Sequence, residues 1–63
     1  MKYLIMAEGE NQPRLEEFEA DDDSVAKLHW QILIKERMPK VALLFRVDDA
    51  AKKLHLVQSA RLV

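Results

Sequence analysis

Residues 21–39 read DDDSVAKLHWQILIKERMP and form the one segment whose apolar residues keep a helical period over several turns. Any of its three leading aspartates can cap the helix, and their carboxylates suit the positive end of the helix dipole. Lys35 and Arg37 supply the opposite charge at the far end, and Pro39 prevents the helix from continuing. The segment therefore predicts a helix of about four turns around which the rest of the chain is arranged.

The helical wheel predicts one broad face that packs against the rest of the chain. This face consists of Val25, Leu28, Ile32 and Leu33, and Ala26 lies at its edge. His29 falls near the middle of this stripe. We therefore predict a buried histidine in the core or in an interface, in preference to a metal ligand or a catalytic base.

Trp30, Ile34 and Met38 form a second apolar line at spacings of i, i+4 and i+8, away from the centre of the stripe. The first interpretation is that the sheet wraps far enough around the helix to cover Trp30 and leaves the other two as ordinary exposed residues. The second is a protein interface, because tryptophan and methionine are enriched in binding surfaces and a helix presents anchors at this spacing. We adopt the interface as the hypothesis to test and expect Ile34 to be exposed in the monomer.

The remaining segments read as strands that form two hairpins. In residues 14–20 the apolar pattern is imperfect, because Leu15 and Phe18 are three apart and cannot share a face of a regular strand. A bulge or a short helix would explain that spacing, and we favour a strand because the first strand needs a local partner. The predicted strands are residues 2–8, 14–20, 41–47 and 53–63, with turns at 9–13 and 48–52 and with Leu54, Leu56, Ala60 and Leu62 in phase on the last strand.

These elements predict an α+β fold of the order ββαββ, with one helix packed on one face of a four-stranded antiparallel sheet. The strand order 2-1-3-4 makes every neighbouring pair antiparallel. One face of the sheet is then left without a cover. Depending on register, this open face receives Leu4, Met6, Leu44 or Val57.

The length of 63 residues predicts a single domain spanning residues 1–63. A chain this short buries only ~60% of its unfolded surface, and without cysteine it has no disulfide to stabilise it. Self-association is the easiest further source of stability, so we predict a homodimer.

The apolar run at residues 3–7 is too short for a membrane span and lacks the features of a signal peptide. We therefore expect no membrane partner and a cytoplasmic protein.

Charge is strongly polarised along the chain. Residues 8–23 hold eight acidic side chains against one arginine, whereas residues 24–63 hold eight basic side chains against three acidic ones. One interpretation is internal compensation, with Lys52 and Lys53 near the acidic start of the helix. The second is an acidic surface that docks a basic protein, formed by Glu16, Glu17, Glu19, Asp21, Asp22 and Asp23. The third is head-to-tail self-association between the acidic and the basic segments.

No motif in the chain carries an enzymatic reaction, a cofactor or a metal. The sequence lacks a cysteine nucleophile, a glycine-rich phosphate loop and the Gly-x-Ser-x-Gly turn, and two histidines with scattered carboxylates form no ligand pattern. Direct nucleic-acid binding is disfavoured because the net charge is −1. We predict a small non-enzymatic protein-interaction module that self-associates. The alternative is a small acidic inhibitor, of the type encoded by phages or mobile elements, which binds a nucleic-acid-binding protein by imitating phosphate charge.

Overall fold

A computed structural model describes residues 1–9 and 13–61 and confirms the ββαββ fold. The sheet has the order β2-β1-β3-β4, and each neighbouring pair of strands is antiparallel. The helix α1 connects the two halves of the sheet. The elements run β1 Lys2–Glu8, β2 Arg14–Glu19, α1 Asp23–Arg37, β3 Val41–Asp48 and β4 Lys53–Arg61.

The first hairpin pairs β1 with β2 in a regular register. Tyr3 lies opposite Phe18, and Met6 lies opposite Leu15. The prediction of a strand here is confirmed, and neither a bulge nor a short helix is needed. Leu15 and Phe18 lie on opposite faces of the sheet, because a strand alternates its side chains. The predicted turn at 9–13 includes residues 10–12, which lie outside the described part of the chain.

Gly9 sits where the chain leaves β1, in a backbone conformation that favours glycine. Its φ is +101°, and a Cβ built on it would come within 2.6 Å of the backbone nitrogen of Lys40. That same nitrogen donates a hydrogen bond of 2.8 Å to the carbonyl of Glu8. The chain therefore needs glycine at this position both for its backbone angle and for its close neighbour.

Gly9→Ala should lower the free energy of unfolding by about 1–3 kcal/mol, the usual cost of a strained backbone conformation. The added Cβ would meet two side-chain carbons of Lys40 as well as its backbone nitrogen, and the nitrogen cannot rotate away, so the cost should fall toward the upper end of that range. Urea unfolding monitored by circular dichroism measures it. A loss below ~0.5 kcal/mol would show that the backbone shifts freely at this position.

Helix α1 begins and ends with two distinct caps. Asp22 has an extended backbone, and its carboxylate accepts a hydrogen bond of 3.0 Å from the backbone nitrogen of Val25. This settles which of the three aspartates is the N-cap. At the other end, Met38 adopts a left-handed conformation with φ 49°, and its N–H donates to the carbonyl of Ile34 at 2.8 Å. Pro39 follows and is fully buried.

Met38→Gly should raise the free energy of unfolding by up to about 1 kcal/mol, because only glycine adopts the left-handed region without steric cost. Lys52, with φ 54° in the turn before β4, provides a second site with the same backbone strain. Lys52→Gly should give a gain of the same sign in the same urea experiment. Destabilisation by both changes would mean that the entropy lost by glycine on folding outweighs the relieved strain.

The second hairpin carries a β-bulge, which changes the phase of β4. Leu56 pairs with Phe45, but Gln58 pairs with Leu44, so Val57 is the extra residue. The predicted alignment of Leu54, Leu56 and Ala60 on one face was therefore wrong. Ala60 packs against the core beneath the helix, whereas the two leucines lie on the other face. Leu62, also predicted to be in phase, lies outside the described residues.

The core lies between α1 and one face of the sheet. Its buried sheet residues come from the centre of β1 and β3, and its helix residues lie on one side of α1: the members are Tyr3, Ile5, Ala42, Leu44, Ala20, Ala26, Trp30 and Leu33. Leu44 is fully buried, and Val57 packs partly buried against this core. The suggestion that either residue belongs to the open face was therefore wrong. The helix itself, the one helix in the described ranges, is too short and too polar to cross a membrane.

Candidate protein-binding surface

The predicted interface line on the helix does not form a surface of the monomer. Trp30 is only 5% exposed and belongs to the core, and Ile34 is half-buried against that core. Met38 alone is fully accessible, at 78% exposure. Of the two interpretations of this line, coverage of Trp30 by the sheet agrees with the structure, although Ile34 is more buried than either interpretation required.

The helix is rotated relative to the predicted orientation. Ala26 is fully buried and Trp30 is only 5% exposed, so the side of α1 that carries them faces the sheet. Of the stripe predicted to be buried, only Leu33 lies in the core. Three members, Val25, Leu28 and Ile32, are exposed on the outer side of the helix, and we call them the outer helix line.

His29 is exposed, and the prediction that it is buried was wrong. Its ring stacks on Phe18 with centroids 4.1 Å apart and an interplanar angle of 11°. Its Nε2 lies 3.4 Å from a carboxylate oxygen of Glu16. His29 thus joins the helix to strand β2 across the flank of the domain.

A shallow groove of about 190 Å³ runs between α1 and β2 beside this histidine. Its lining mixes charges of both signs with two apolar side chains: Glu16, His29, Ile32, Leu33, Glu36 and Arg37. Across residues 1–9 and 13–61, no three histidine or carboxylate side chains converge in a way that would hold a metal ion. The groove therefore offers no specific chemistry for a metal or a reaction.

The acidic side chains predicted to form one surface point in different directions and have different neighbours. Glu16 points to the helix side of β2 and pairs with His29, whereas Glu17 and Glu19 point to the other side. Glu19 also lies 3.4 Å from the N-terminal ammonium. In the helix start, Asp22 is the cap and Asp23 has partners of its own, and Asp21 is exposed. These residues line one edge of the domain, with part of their charge already compensated.

Tyr3, Asp23 and Arg46 form a polar cluster that fixes the start of the helix to the sheet. The buried phenol of Tyr3 donates a hydrogen bond of 2.6 Å to Asp23 Oδ1, and Arg46 Nη1 lies 3.6 Å from Asp23 Oδ2. Burial raises the pKa of Tyr3 to about 12, and the hydrogen bond to Asp23 contributes to the rise. The phenol therefore stays neutral in the folded chain at pH values where an unfolded tyrosine ionises.

Stability should fall between about pH 10 and pH 12 because of Tyr3. Its pKa is higher in the folded state, so the unfolded chain releases the proton first and alkaline pH favours unfolding. This rise in the folded-state pKa corresponds to a loss on the order of 2–3 kcal/mol. Tyr3→Phe should flatten this part of the curve in urea titrations, and an unchanged slope would exclude Tyr3 as the cause. Wild type and variant share every lysine, so their difference isolates the phenol.

The face of the sheet opposite the helix is mostly apolar and has no cover in the described part of the chain. Nine apolar side chains from all four strands alternate with the buried ones and point to this side: Leu4, Met6, Leu15, Val41, Leu43, Phe45, Val47, Leu54 and Leu56. None of them is buried, and Leu56 is 59% exposed. We call this surface the open face. Monomers rarely expose a contiguous apolar patch above a few hundred Å² unless it is a contact surface.

The sequence predicted that such a face exists but identified few of its members. Leu4 and Met6 were predicted correctly, whereas most members required the register of β3 and β4. The signal that could have revealed β3 is its unbroken apolar run at 41–45, which is typical of a strand covered on both faces. One of those two faces is covered by the helix, and the other is the open face.

Comparisons with known proteins add no functional information. No protein-family model, curated protein or solved structure matches this chain. The functional interpretation consequently depends on the surfaces described above.

Proposed function

We propose that this protein is a non-enzymatic interaction module that binds protein through the open face of its sheet, first of all as a homodimer. The supporting observation is the contiguity of the apolar side chains across all four strands. A four-stranded sheet with strands of about seven residues presents a face of roughly 19 by 23 Å. The flat area of such a face is roughly 440 Å², about half of the ~800 Å² that each partner buries in a standard stable interface.

The small core gives a physical reason for self-association. Only one side of the sheet is covered by the helix, so the chain buries apolar side chains on that side alone. Covering the open face would add a second apolar layer at about 25 cal/mol per Å² of apolar area removed from water. We also propose the cytoplasm as the compartment, in keeping with a chain that contains no cysteine.

The acidic-inhibitor alternative has less support. Phosphate imitation needs carboxylates that remain free on one continuous surface. Glu16 and Asp23 already have protein partners, and Glu16 lies on the opposite side of β2 from Glu17. No further observation in the described residues favours that function.

Light scattering coupled to size-exclusion chromatography tests the proposed function. We expect the mass of a dimer at micromolar concentration and a dissociation to monomers on dilution. Sedimentation velocity over the same range provides an independent mass. A monomer mass at several hundred micromolar would contradict self-association through the open face.

A further inference from the structure

Met6 is the one sulfur-containing side chain among the apolar members of the open face. It lies on the inner strand β1, and leucines stand on three sides of it: Leu15 opposite on β2, Leu43 opposite on β3 and Leu4 two residues earlier on β1. Glu8 stands on the fourth side, two residues later on the same strand. The thioether therefore occupies an apolar position with one acidic neighbour.

The side chain of Met6 is accessible in the single chain, with 38% of its surface exposed. The other two methionines lie away from the open face. Met38 follows the helix and is 78% exposed, and the sulfur of Met1 accepts a hydrogen bond of 3.8 Å from the hydroxyl of Tyr3. Oxidation of a thioether depends on its exposure. Met38 therefore provides a reference methionine outside the open face.

We propose that oxidation of Met6 to methionine sulfoxide regulates the association of this protein through the open face. This inference rests on the proposed function and adds its regulation. The oxidant is a hydroperoxide: the sulfur donates an electron pair to one peroxide oxygen, so that the S–O bond forms and the O–O bond breaks. The sulfur loses two electrons, and the departing oxygen takes up a proton and leaves as water or as an alcohol. Sulfoxide reductases reverse the step with two electrons from thiols and release the oxygen as water.

A sulfoxide at this position is unfavourable only when the open face is covered. Its oxygen accepts hydrogen bonds, which water supplies in the free chain. Under a partner, the surrounding leucines offer no donor, and the carboxylate of Glu8 offers only acceptors. The donor side chains of the open face stand at the start of β1 and within the last three residues of β4: Lys2, Ser59 and Arg61. In a homodimer the loss occurs twice, once for each copy.

Association and oxidation of Met6 should oppose each other. The side chain is accessible in the monomer and covered in the proposed dimer, so oxidation should proceed through the monomer. A high protein concentration should therefore protect Met6, whereas Met38 should react at the same rate at every concentration. This dependence on concentration distinguishes a regulated site from general oxidative damage.

Limited treatment with hydrogen peroxide tests the proposal, with the sulfoxide at each methionine measured by peptide mass spectrometry. At about ten times the dissociation constant roughly a fifth of the chains are monomeric, and at about a tenth of it most are, so Met6 should oxidise about threefold or more slowly in the concentrated sample. After complete oxidation of Met6, sedimentation equilibrium should show dimerisation weakened about tenfold or more. Circular dichroism should stay unchanged, because Met6 points away from the core. Treatment with a sulfoxide reductase should restore the dimer.

Met6→Leu is the decisive variant, because it removes the sulfur and nearly conserves the volume. It should dimerise as the wild type does, both before and after peroxide, whereas Met38→Leu should lose association on oxidation as the wild type does. The regulation would be overturned, and the interaction module left intact, by any of three results in a protein that dimerises. These are a dimer that survives complete oxidation of Met6, a Met6→Leu dimer that peroxide disrupts, or equal oxidation rates of Met6 at both concentrations. A wild type that is monomeric before treatment would overturn both proposals.

Discussion

Trp30→Ala is expected to lower the free energy of unfolding by about 3–5 kcal/mol, the usual cost of removing a large aromatic side chain from a core. Trp30 is 5% exposed and belongs to the buried cluster between helix and sheet. Domains of this length have a total stability of roughly 3–9 kcal/mol. The variant should therefore lose a large part of this stability, as measured by urea titration followed by circular dichroism.

The control for this experiment is Leu28→Ala, on the same helix at 60% exposure. Its effect should stay within about 0.5 kcal/mol, although both changes replace an apolar residue by alanine. Equal effects at the two positions would contradict the observed rotation of α1. The indole Nε1 of Trp30 is buried without a hydrogen-bond partner among the described residues, so Trp30→Phe should cost less than Trp30→Ala.

The rotation of the helix is the main feature that the sequence could not decide. Both sides of α1 carry apolar residues, and the stripe through Val25, Leu28 and Ile32 looks at least as strong on a helical wheel as the side that is buried. The orientation is decided by tertiary packing: the side of α1 that carries Ala26 and Trp30 lies in the core together with Leu33. Alanine has little weight in a hydrophobic pattern, so the buried side of the helix has no clear signal in the sequence.

Element types and strand order could be predicted because their signals are local. Pro39 and the aspartates bound the helix, and the alternation at 41–47 and the short connections leave few ways to pair the strands. The face on which each side chain lies is harder to predict, because one extra residue in a strand moves the following side chains to the other face. The bulge at Val57 moved Ala60 to the core side while Leu56 stayed on the open face. The binding surface thus depended on a register that no local pattern specifies.

Leu56→Lys should convert the dimer into a monomer. Leu56 is 59% exposed on the open face, next to Phe45, so the monomer should tolerate the lysine with little loss of stability. In the dimer, however, the ammonium groups of both copies would leave water without gaining a partner. We expect dimerisation to weaken at least a hundredfold, or ~2.7 kcal/mol, with unchanged circular dichroism.

Leu28→Lys is the matched control, because it makes the same change at a leucine of 60% exposure on the outer helix line. The two variants gain the same charge and lose the same apolar group, so they differ only in the surface they alter. Light scattering over a dilution series should give a monomer for Leu56→Lys and the wild-type dimer for Leu28→Lys. The reverse result would place the interface on Val25, Leu28 and Ile32 and remove the open face from the contact. Loss of dimerisation in both variants would show that added positive charge alone prevents association, since the two surfaces lie on opposite sides of the domain.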